Sequence, residues 1–207
     1  MTQSAAASRG VGIARVGPNA ILQYLPVLEK AMGRSALDEF LTAEHLERVP
    51  DGSEMIEEGL AAQFHQAVRR QFPDVAAELA RDAGAGAADY IIANRIPAFA
   101  RAILALLPRP VAEDMLSRSI ADHAWTFAGS GEFRVHRQPP MTFEIIGNPI
   151  VRGECASQPI CVWHAAVFTQ LFSKLVGGTY SVTERQCCAS GAESCRFELV
   201  RSKFQTY

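Results

Sequence analysis

Four residues in the last quarter of the chain have the side chains and the spacing of a closed metal site: Cys161, Glu184, Cys187 and Cys195. Twenty-two residues separate Cys161 from Glu184, two separate Glu184 from Cys187, and seven separate Cys187 from Cys195. Three thiolates and a carboxylate can complete a tetrahedral zinc site, with Zn–S bonds of about 2.3 Å and Zn–O bonds of about 2.0–2.2 Å. Such a site constrains the fold strongly, because it holds the segment around Cys161 against the segment that carries the other three ligands.

The local patterns around these residues predict a helix followed by a β-hairpin. Apolar residues recur at helical spacing over 160–175, with Cys161 at the start of the buried face. Alternating apolar and polar residues over 180–184 and 195–199 predict two strands, and Ala-Ser-Gly at 189–191 predicts the turn between them. A zinc ion would therefore join the first turn of a helix to the closed end of a hairpin.

The residues alone leave alternatives open at this site. Three buried cysteines can also serve as small apolar core residues without a metal. Cys188 directly follows Cys187, so either thiol could be the ligand; strand alternation turns the two to opposite sides, and we favour Cys187. Four protein ligands leave no open position for water, so the predicted zinc is structural. Its net negative charge makes Arg185, Arg196 and His164 candidate neighbours that offset it.

Length, composition and charge predict one compact domain that does not bind nucleic acid. The chain has 207 residues, of which 48% are hydrophobic, enough for a substantial core. Its net charge is −2 and no basic patch stands out, so we expect no nucleic-acid partner. The N-terminus lacks the pattern of a secretory signal, and no apolar run approaches the roughly 20 residues of a spanning helix. Five cysteines, an odd number, favour a reducing compartment, so we expect a cytoplasmic protein.

Helical patterns dominate the first part of the chain and strand patterns follow. The predicted helices span 18–32 with a break at Pro26, 53–72 with Ser53 as its N-cap, 74–107 with a break at Pro97, and 110–125. After Gly129-Ser130-Gly131, alternating apolar residues around Phe133 and around Phe143 predict two further strands.

Several short segments together resemble the 4-vinyl reductase domain, a small-ligand-binding module. They are Gly177-Gly178, Glu184-Arg185-Gln186-Cys187, Gly191 and Cys195-Arg196-Phe197, all downstream of Cys161. The resemblance continues upstream through Ala93-Asn94-Arg95-Ile96-Pro97 and through the run from His123 to Gly131. With these segments the chain is similar to a family of bacteriochlorophyll-biosynthesis proteins over most of its length beyond the first fifteen or so residues.

This resemblance implies an α+β fold in which N-terminal helices pack with an antiparallel sheet. It implies a buried apolar pocket, a structural zinc ion on Cys161, Glu184, Cys187 and Cys195, and a homodimer. We therefore expect a flexible tail at 1–16 and one α+β domain at 17–207, with a mainly helical part at 17–127 and a 4-vinyl reductase-type ligand-binding part at 128–207. The implied partners are a tetrapyrrole pigment precursor and enzymes of bacteriochlorophyll biosynthesis, with peripheral association at the photosynthetic membrane surface.

Aromatic residues and two histidines are the candidate ligand-binding residues. Taken with the resemblance, the aromatic group suggests a pocket for a planar, largely apolar molecule such as a tetrapyrrole, and ordinary core packing is the alternative for any single member. The histidines could bind a central magnesium or donate a proton, or they could be hydrogen-bonded core residues. The candidates are Trp125, Phe127, Phe133, Trp163, Phe168 and Phe172, together with His123 and His164.

Three functions remain as hypotheses. The first is a carrier that binds divinyl protochlorophyllide or a magnesium-porphyrin and assists bacteriochlorophyll biosynthesis without catalysis. The second is a reductase of the 4-vinyl (8-vinyl) group of the pigment precursor, which needs an electron source. Gly84 and Gly86 form a Gly-x-Gly pair, but they lie in an alanine-rich helical pattern without a preceding strand, so we expect no dinucleotide loop there. The third is a small-molecule sensor or assembly module. We favour the carrier.

Overall fold

The structure, a computed structural model, describes residues 13–46 and 50–202. The helices in these ranges are α1 Asn19–Leu22, α2 Leu25–Met32, α3 Arg34–Ala43, α4 Glu58–Gln71, α5 Ala76–Asn94, α6 Ala98–Leu106, α7 Arg109–Asp122, α8 Trp125–Ala128 and α9 Val162–Leu175. Short 3₁₀ turns lie at Pro149–Val151 and Cys188–Ser190.

The strands form a four-stranded sheet and a separate two-stranded ribbon. They are β1 Arg15–Val16, β2 Ile56–Glu57, β3 Glu132–His136, β4 Thr142–Ile146, β5 Tyr180–Gln186 and β6 Ser194–Arg201. The larger sheet has the order β3-β4-β6-β5, and every neighbouring pair in it is antiparallel. The combination of helices with an antiparallel sheet confirms the predicted α+β class.

Several boundaries differ from those predicted. Helix α4 begins at Glu58 and not near Ser53, because the Ser53 hydroxyl donates to Asp51 Oδ1 at 2.6 Å in a local turn instead of capping a helix. The sequence patterns did not indicate α3. The predicted break near Pro26 is present, since α1 ends at Leu22 and α2 begins at Leu25.

The two-stranded ribbon reaches into the segment assigned to a flexible tail. Arg15 pairs with Glu57 and Val16 pairs with Ile56, and the Val16 side chain is buried. The partner strand lies about forty positions further along the chain, so no local pattern indicates this pairing. The rest of that segment, residues 1–12, lies outside the described residues.

Helix α9 lies at the centre of the molecule, between the sheet and α5. Phe168 and Phe172 on one side of α9 contact Phe143 of β4, with ring centroids 4.8 and 5.7 Å apart. On its other side, α9 approaches α5 so closely that a Cβ added at Gly84 would lie 2.5 Å from the Trp163 carbonyl oxygen. The helix is therefore buried on two faces, more than the single apolar stripe in its sequence suggests.

The glycine-rich turn after α8 surrounds a buried carboxylate of α4. Glu58 accepts hydrogen bonds from the Ser130 backbone N–H at 2.7 Å, the Ser130 hydroxyl at 2.8 Å and Arg152 Nη1 at 2.7 Å. Gly129 has φ +55°, and a Cβ there would lie 2.3 Å from Glu58 Oε2, so only glycine fits. The turn thus connects the helical part of the chain to the start of the sheet.

Within residues 13–46 and 50–202, none of the helices combines the length and the apolar character that crossing a bilayer requires.

Candidate metal and ligand sites

Three structural elements bring the four predicted metal ligands together. Cys161 is the N-cap residue of α9, Glu184 lies in β5, Cys187 directly follows β5, and Cys195 lies in β6. The four donor atoms all lie within 4.8 Å of one another, and the three cysteines are buried. The cluster could therefore hold a metal ion between the start of α9 and the β5–β6 hairpin.

The distances between the sulfurs fit a tetrahedral metal centre. The Sγ–Sγ separations are 3.5 Å for Cys161–Cys195, 3.8 Å for Cys161–Cys187 and 3.9 Å for Cys187–Cys195. Tetrahedral bonds of about 2.3 Å from zinc to sulfur place neighbouring sulfurs about 3.8 Å apart. The donor chemistry and the donor spacing are both those of a thiolate-rich metal centre.

Glu184 has one carboxylate oxygen without a partner. Its Oε2 accepts a hydrogen bond from the Cys161 backbone N–H at 2.7 Å, while its buried Oε1 has no hydrogen-bond partner among the described residues. Burial raises the pKa of Glu184 to about 8, and the neighbouring Cys187 adds to this shift. A buried oxygen of this kind is expensive to leave unmatched, and a bound cation would supply its missing partner.

The thiols of the cluster already share protons unevenly. Hydrogen bonds from the Cys161 and Cys195 thiols hold the pKa of Cys187 well below its usual value. The same bonds, together with burial, raise the pKa of Cys161 well above it. Cys187 is thus the thiolate of the set, and uptake of a divalent cation must release protons from the others.

The structure places Cys187 and Cys188 differently. Cys187 Sγ belongs to the cluster, whereas Cys188 Sγ points toward the Glu193 carbonyl oxygen, 3.6 Å away. The Cys188 backbone N–H donates to Cys195 Sγ at 3.4 Å. Cys188 therefore supports the cluster through its backbone, and its side chain lies outside.

The groups beside the sulfurs are not the charged ones that the sequence suggested. Arg185 donates to Glu198 and Arg196 donates to Glu144, so both guanidinium groups have partners away from the cluster. Instead, the side-chain amide of buried Asn148 donates to Cys161 Sγ at 3.4 Å. Sequence reasoning missed this residue: Asn148-Pro149 is an ordinary turn signal, and its contact lies thirteen positions away.

Four of the predicted ligand-binding aromatic residues lie together in the core. Phe127 contacts Phe133 and Phe168 at centroid distances of 5.1 and 5.9 Å, and Phe133 contacts Phe168 at 6.1 Å. Phe172 joins them through Phe143, at 5.7 Å. We call these five residues the aromatic cluster. The cluster lies between α8, α9 and the inner face of the sheet, and its side chains pack directly against one another.

His164 adjoins this cluster and has no hydrogen-bond partner for either ring nitrogen among the described residues. Its ring lies 6.3 Å from that of Phe127 and 5.9 Å from that of Phe197, and it is 1% exposed. Burial lowers the pKa of His164 to about 3, so the ring is neutral at physiological pH. The neighbouring Trp163 is also buried, and its Nε1 also lacks a partner in the described structure.

A second buried histidine shows how unusual His164 is. His65 Nε2 lies 2.9 Å from the Ala20 carbonyl oxygen, and its Nδ1 lies 3.5 Å from the Tyr24 hydroxyl. Buried polar groups are nearly always matched in this way. His164 therefore differs from an ordinary core histidine.

The other two predicted binding residues lie apart from this group. His123 caps the end of α7, is exposed, and its Nδ1 lies 2.8 Å from the Ser119 carbonyl oxygen. Trp125 is 60% exposed at the start of α8. The structure thus brings six of the eight candidates into the core and leaves two at the surface.

An open concavity of about 850 Å³ lies on the sheet face opposite α9, and none of the eight candidates lines it. At its centre, buried Glu144 accepts hydrogen bonds from Ser194 at 2.7 Å and Arg196 at 2.9 Å, with His136 Nε2 at 2.8 Å. Burial alone would raise the pKa of Glu144, but these hydrogen bonds outweigh it and lower the pKa to about 2. Its charged groups already neutralise one another.

Comparison with known proteins decides the family. The chain is 48% identical over 186 residues to the bacteriochlorophyll synthase 23 kDa chain of Cereibacter sphaeroides, an alignment that covers 90% of each chain. The chain belongs to the bacteriochlorophyll synthase 23 kDa chain family. It is also 42% identical to the relative of the same description from Rhodobacter capsulatus, over 89% of this chain and 86% of that one.

The chain also carries a 4-vinyl reductase domain, since the model of that domain family matches residues 141–201. That stretch contains β4, α9, β5 and β6, and with them all four residues of the metal cluster. His164 and Trp163 lie within it as well.

The fold extends beyond the family. An H-NOX protein variant from K. algicida, solved in the Fe(II) unliganded state, matches with a TM-score of 0.61 over 92% of this chain and 98% of that chain. The two sequences are only 14% identical, so this likeness shows a shared fold.

Proposed function

We propose that this protein binds a tetrapyrrole intermediate of bacteriochlorophyll biosynthesis, divinyl protochlorophyllide or a magnesium-porphyrin, and carries it to the enzymes of the pathway. The family supports this placement, because its relatives in C. sphaeroides and R. capsulatus are named as chains of bacteriochlorophyll synthase. A chain so named belongs with the pathway's enzymes.

The observation that carries the proposal is the unmatched pair of side chains beside the aromatic cluster. A neutral imidazole is a common metal ligand, and His164 has both ring nitrogens free of hydrogen bonds within the described part of the chain. The magnesium of a tetrapyrrole accepts an axial ligand, and the indole N–H of Trp163 can donate to a polar group of the macrocycle. We assign both to the ligand, with the phenylalanine rings facing its apolar surface.

The fold gives independent support. H-NOX structures with the same architecture concern haem and the distortion of its porphyrin by the protein. A fold with helices on one side and an antiparallel sheet on the other can thus enclose a flat macrocycle. In the present structure the aromatic cluster fills its own space, so these side chains must move apart before a ligand can bind among them.

We propose further that the cysteine cluster binds zinc with a structural role. Cys161, Glu184, Cys187 and Cys195 supply four ligands, a complete tetrahedral set that leaves no position for a substrate. Zinc there would hold the start of α9, only three residues before His164, against the hairpin. The metal would therefore position the ligand-binding helix without taking part in chemistry.

The test is an absorption titration of the zinc-loaded protein with divinyl protochlorophyllide. We compare wild type with His164→Phe, which keeps an aromatic ring and removes both nitrogens, and with His123→Phe as the exposed control. We expect a saturable shift for wild type and control, and at least about tenfold weaker binding for His164→Phe, since each lost polar contact is worth about 1–3 kcal/mol.

The same substitution has an opposite expected effect on stability. Removing two unmatched buried nitrogens should leave the ligand-free protein as stable as wild type or about 1 kcal/mol more stable. Urea unfolding measures this. Weaker binding with retained stability identifies a ligand-binding residue; equal pigment affinity in His164→Phe and wild type would remove His164 from the site while leaving the carrier proposal intact.

Repeating the titration with NADPH or reduced ferredoxin, followed by chromatography of the pigment, separates the carrier from the reductase. An intact vinyl group on bound pigment supports the carrier. Loss of the vinyl group would show a reductase and contradict our proposal. Absence of any spectral shift would contradict both and favour an assembly module.

A further inference from the structure

Helix α6 is apolar and almost fully exposed. Of its nine residues, Leu104 is the buried one, while Phe99 is 70% exposed and Leu106 is 86% exposed. Ile103 on α6, and Val111 and Met115 on the adjoining face of α7, are also exposed. Exposed apolar side chains clustered on one element mark an interaction surface, whereas scattered ones do not.

The segment that contains α6 carries positive charge only. Residues 90–112 include Arg95, Arg101 and Arg109 and no aspartate or glutamate, in a chain whose net charge is −2. In the described structure, none of these three arginines forms a salt bridge, although eleven salt bridges occur elsewhere. An apolar helix with unpaired arginines calls for a partner that is apolar and negatively charged.

We propose that α6, with the first turn of α7, docks in the interface of a lipid bilayer that contains anionic lipids. Helices that lie in a membrane surface bury apolar side chains below the headgroups and hold cationic side chains among them. Each arginine near an anionic surface contributes about 1 kcal/mol. Phe99, Ile103 and Leu106 would enter the acyl region, and the arginines would contact the headgroup phosphates.

A second copy of this chain fits the same surface less well. Two copies related by a two-fold axis present the same patch to each other, so three unpaired arginines would face three more. Burying this repulsion in a contact as small as one nine-residue helix is unfavourable. An anionic bilayer has no such conflict.

The position of α6 along the chain is consistent with docking as a unit. Pro97 is the residue before the helix and Pro108 follows its C-cap, so the helix is bounded at both ends by residues that cannot continue it. Its contacts with the rest of the fold are mainly with α7 and α9. Docking thus leaves the sheet, the metal cluster and the aromatic cluster unchanged, and the proposal does not depend on pigment binding.

The test is co-sedimentation of the full chain with vesicles of phosphatidylcholine alone and of phosphatidylcholine mixed with phosphatidylglycerol. The test variant carries Phe99→Ser and Leu106→Ser together. The matched control is Val200→Ser, an exposed apolar residue on β6. Circular dichroism confirms that both variants fold.

We expect wild type and the control to pellet with the mixed vesicles and not with phosphatidylcholine alone, and added salt to release them. The double variant should lose at least about tenfold in apparent affinity, because two large apolar side chains no longer leave water. Arg101→Gln with Arg109→Gln should weaken binding to the anionic vesicles as well.

Three results would overturn the proposal. They are wild type that stays in the supernatant with anionic vesicles, equal binding by wild type and the double variant, and a wild-type dimer that the Phe99→Ser, Leu106→Ser substitutions convert to a monomer on gel filtration. The last would assign the surface to a second copy of the chain.

Discussion

At the scale of single residues, buried polar atoms decide which positions have a role beyond packing. Glu58, Glu144 and His65 are buried and fully matched by neighbours, so the fold itself accounts for them. Within the described ranges, His164 Nδ1 and Nε2, Trp163 Nε1 and Glu184 Oε1 are buried and unmatched. These unmatched atoms all lie beside a proposed ligand or metal, and that coincidence is the main support for the two sites.

Glu58 gives a prediction of pH-dependent stability. Burial opposes its charge, but hydrogen bonds from Ser130 and Arg152 outweigh this and hold its pKa below the usual 4.5. A lowered pKa in the folded state stabilises the protein above the unfolded-state value, and the stabilisation is lost as pH falls through the folded value. Glu58→Gln should therefore lose about 1–3 kcal/mol at pH 7, the range for hydrogen bonds to a charged group.

Urea unfolding of wild type and Glu58→Gln across the range from neutral to acidic pH measures this difference. The gap between the two should narrow as the pH falls below the usual pKa of 4.5. Glu54→Gln, at an exposed position nearby, serves as the control and should match wild type throughout. A gap that stays constant with pH would show that the charge of Glu58 contributes nothing.

At the scale of elements, the close contact of α5 with α9 depends on one glycine. A Cβ at Gly84 would lie 2.5 Å from the Trp163 carbonyl oxygen and 2.8 Å from Ala166 Cβ, and neither atom belongs to a flexible side-chain end. At Gly86, two residues on, a Cβ would meet Gln23 Oε1 at 3.4 Å, an ordinary contact. The two glycines of one helix thus have different roles, and neither lies in a dinucleotide loop.

Alanine substitutions should separate these roles. Gly84→Ala should lower the free energy of unfolding by about 1–3 kcal/mol through overpacking. Gly86→Ala should be neutral or stabilising by up to about 1 kcal/mol, because alanine favours the helix. Chemical denaturation of the two variants measures both effects. Equal stability of the two would mean that α5 and α9 do not pack as closely as described.

At the scale of the whole molecule, the metal cluster joins parts that are distant in sequence. It holds the start of α9 against the β5–β6 hairpin, while the Glu58 network holds α4 against the turn before β3. The predicted homodimer is a separate matter and stays a prediction. The zinc proposal has a consequence for the entire fold, because structural zinc contributes folding free energy directly.

Cys195→Ser should therefore lose the metal and destabilise the whole domain. A loss of a few kcal/mol corresponds to a fall in Tm of roughly 10 °C for a chain of this size. Elemental analysis and thermal unfolding measure the two effects, and Cys155→Ser, at an exposed cysteine, is the control. Chelation of wild type should give the same fall in Tm. Full zinc content in Cys195→Ser would remove Cys195 from the ligand set.

Local patterns predicted the elements well and their surroundings poorly. The helix with Cys161 at its start, the β5–β6 hairpin and the strands around Phe133 and Phe143 all occur, because periods of 3.6 and 2 residues are visible in a short window. Helix α3 and the ribbon formed by Val16 and Ile56 were not foreseen. Short elements that depend on distant partners leave no such local pattern.

The sequence by itself determined the donor set of the metal cluster, the helix and hairpin that carry it, and the α+β class, since these follow from residue chemistry and local periodicity. Only the tertiary structure decided that Asn148, and not an arginine, supports Cys161, that His164 lacks hydrogen-bond partners among the described residues, and that α6 is exposed. The physical reason is the same in each case: whether a polar atom is matched, or an apolar face covered, depends on groups that the fold brings from elsewhere in the chain.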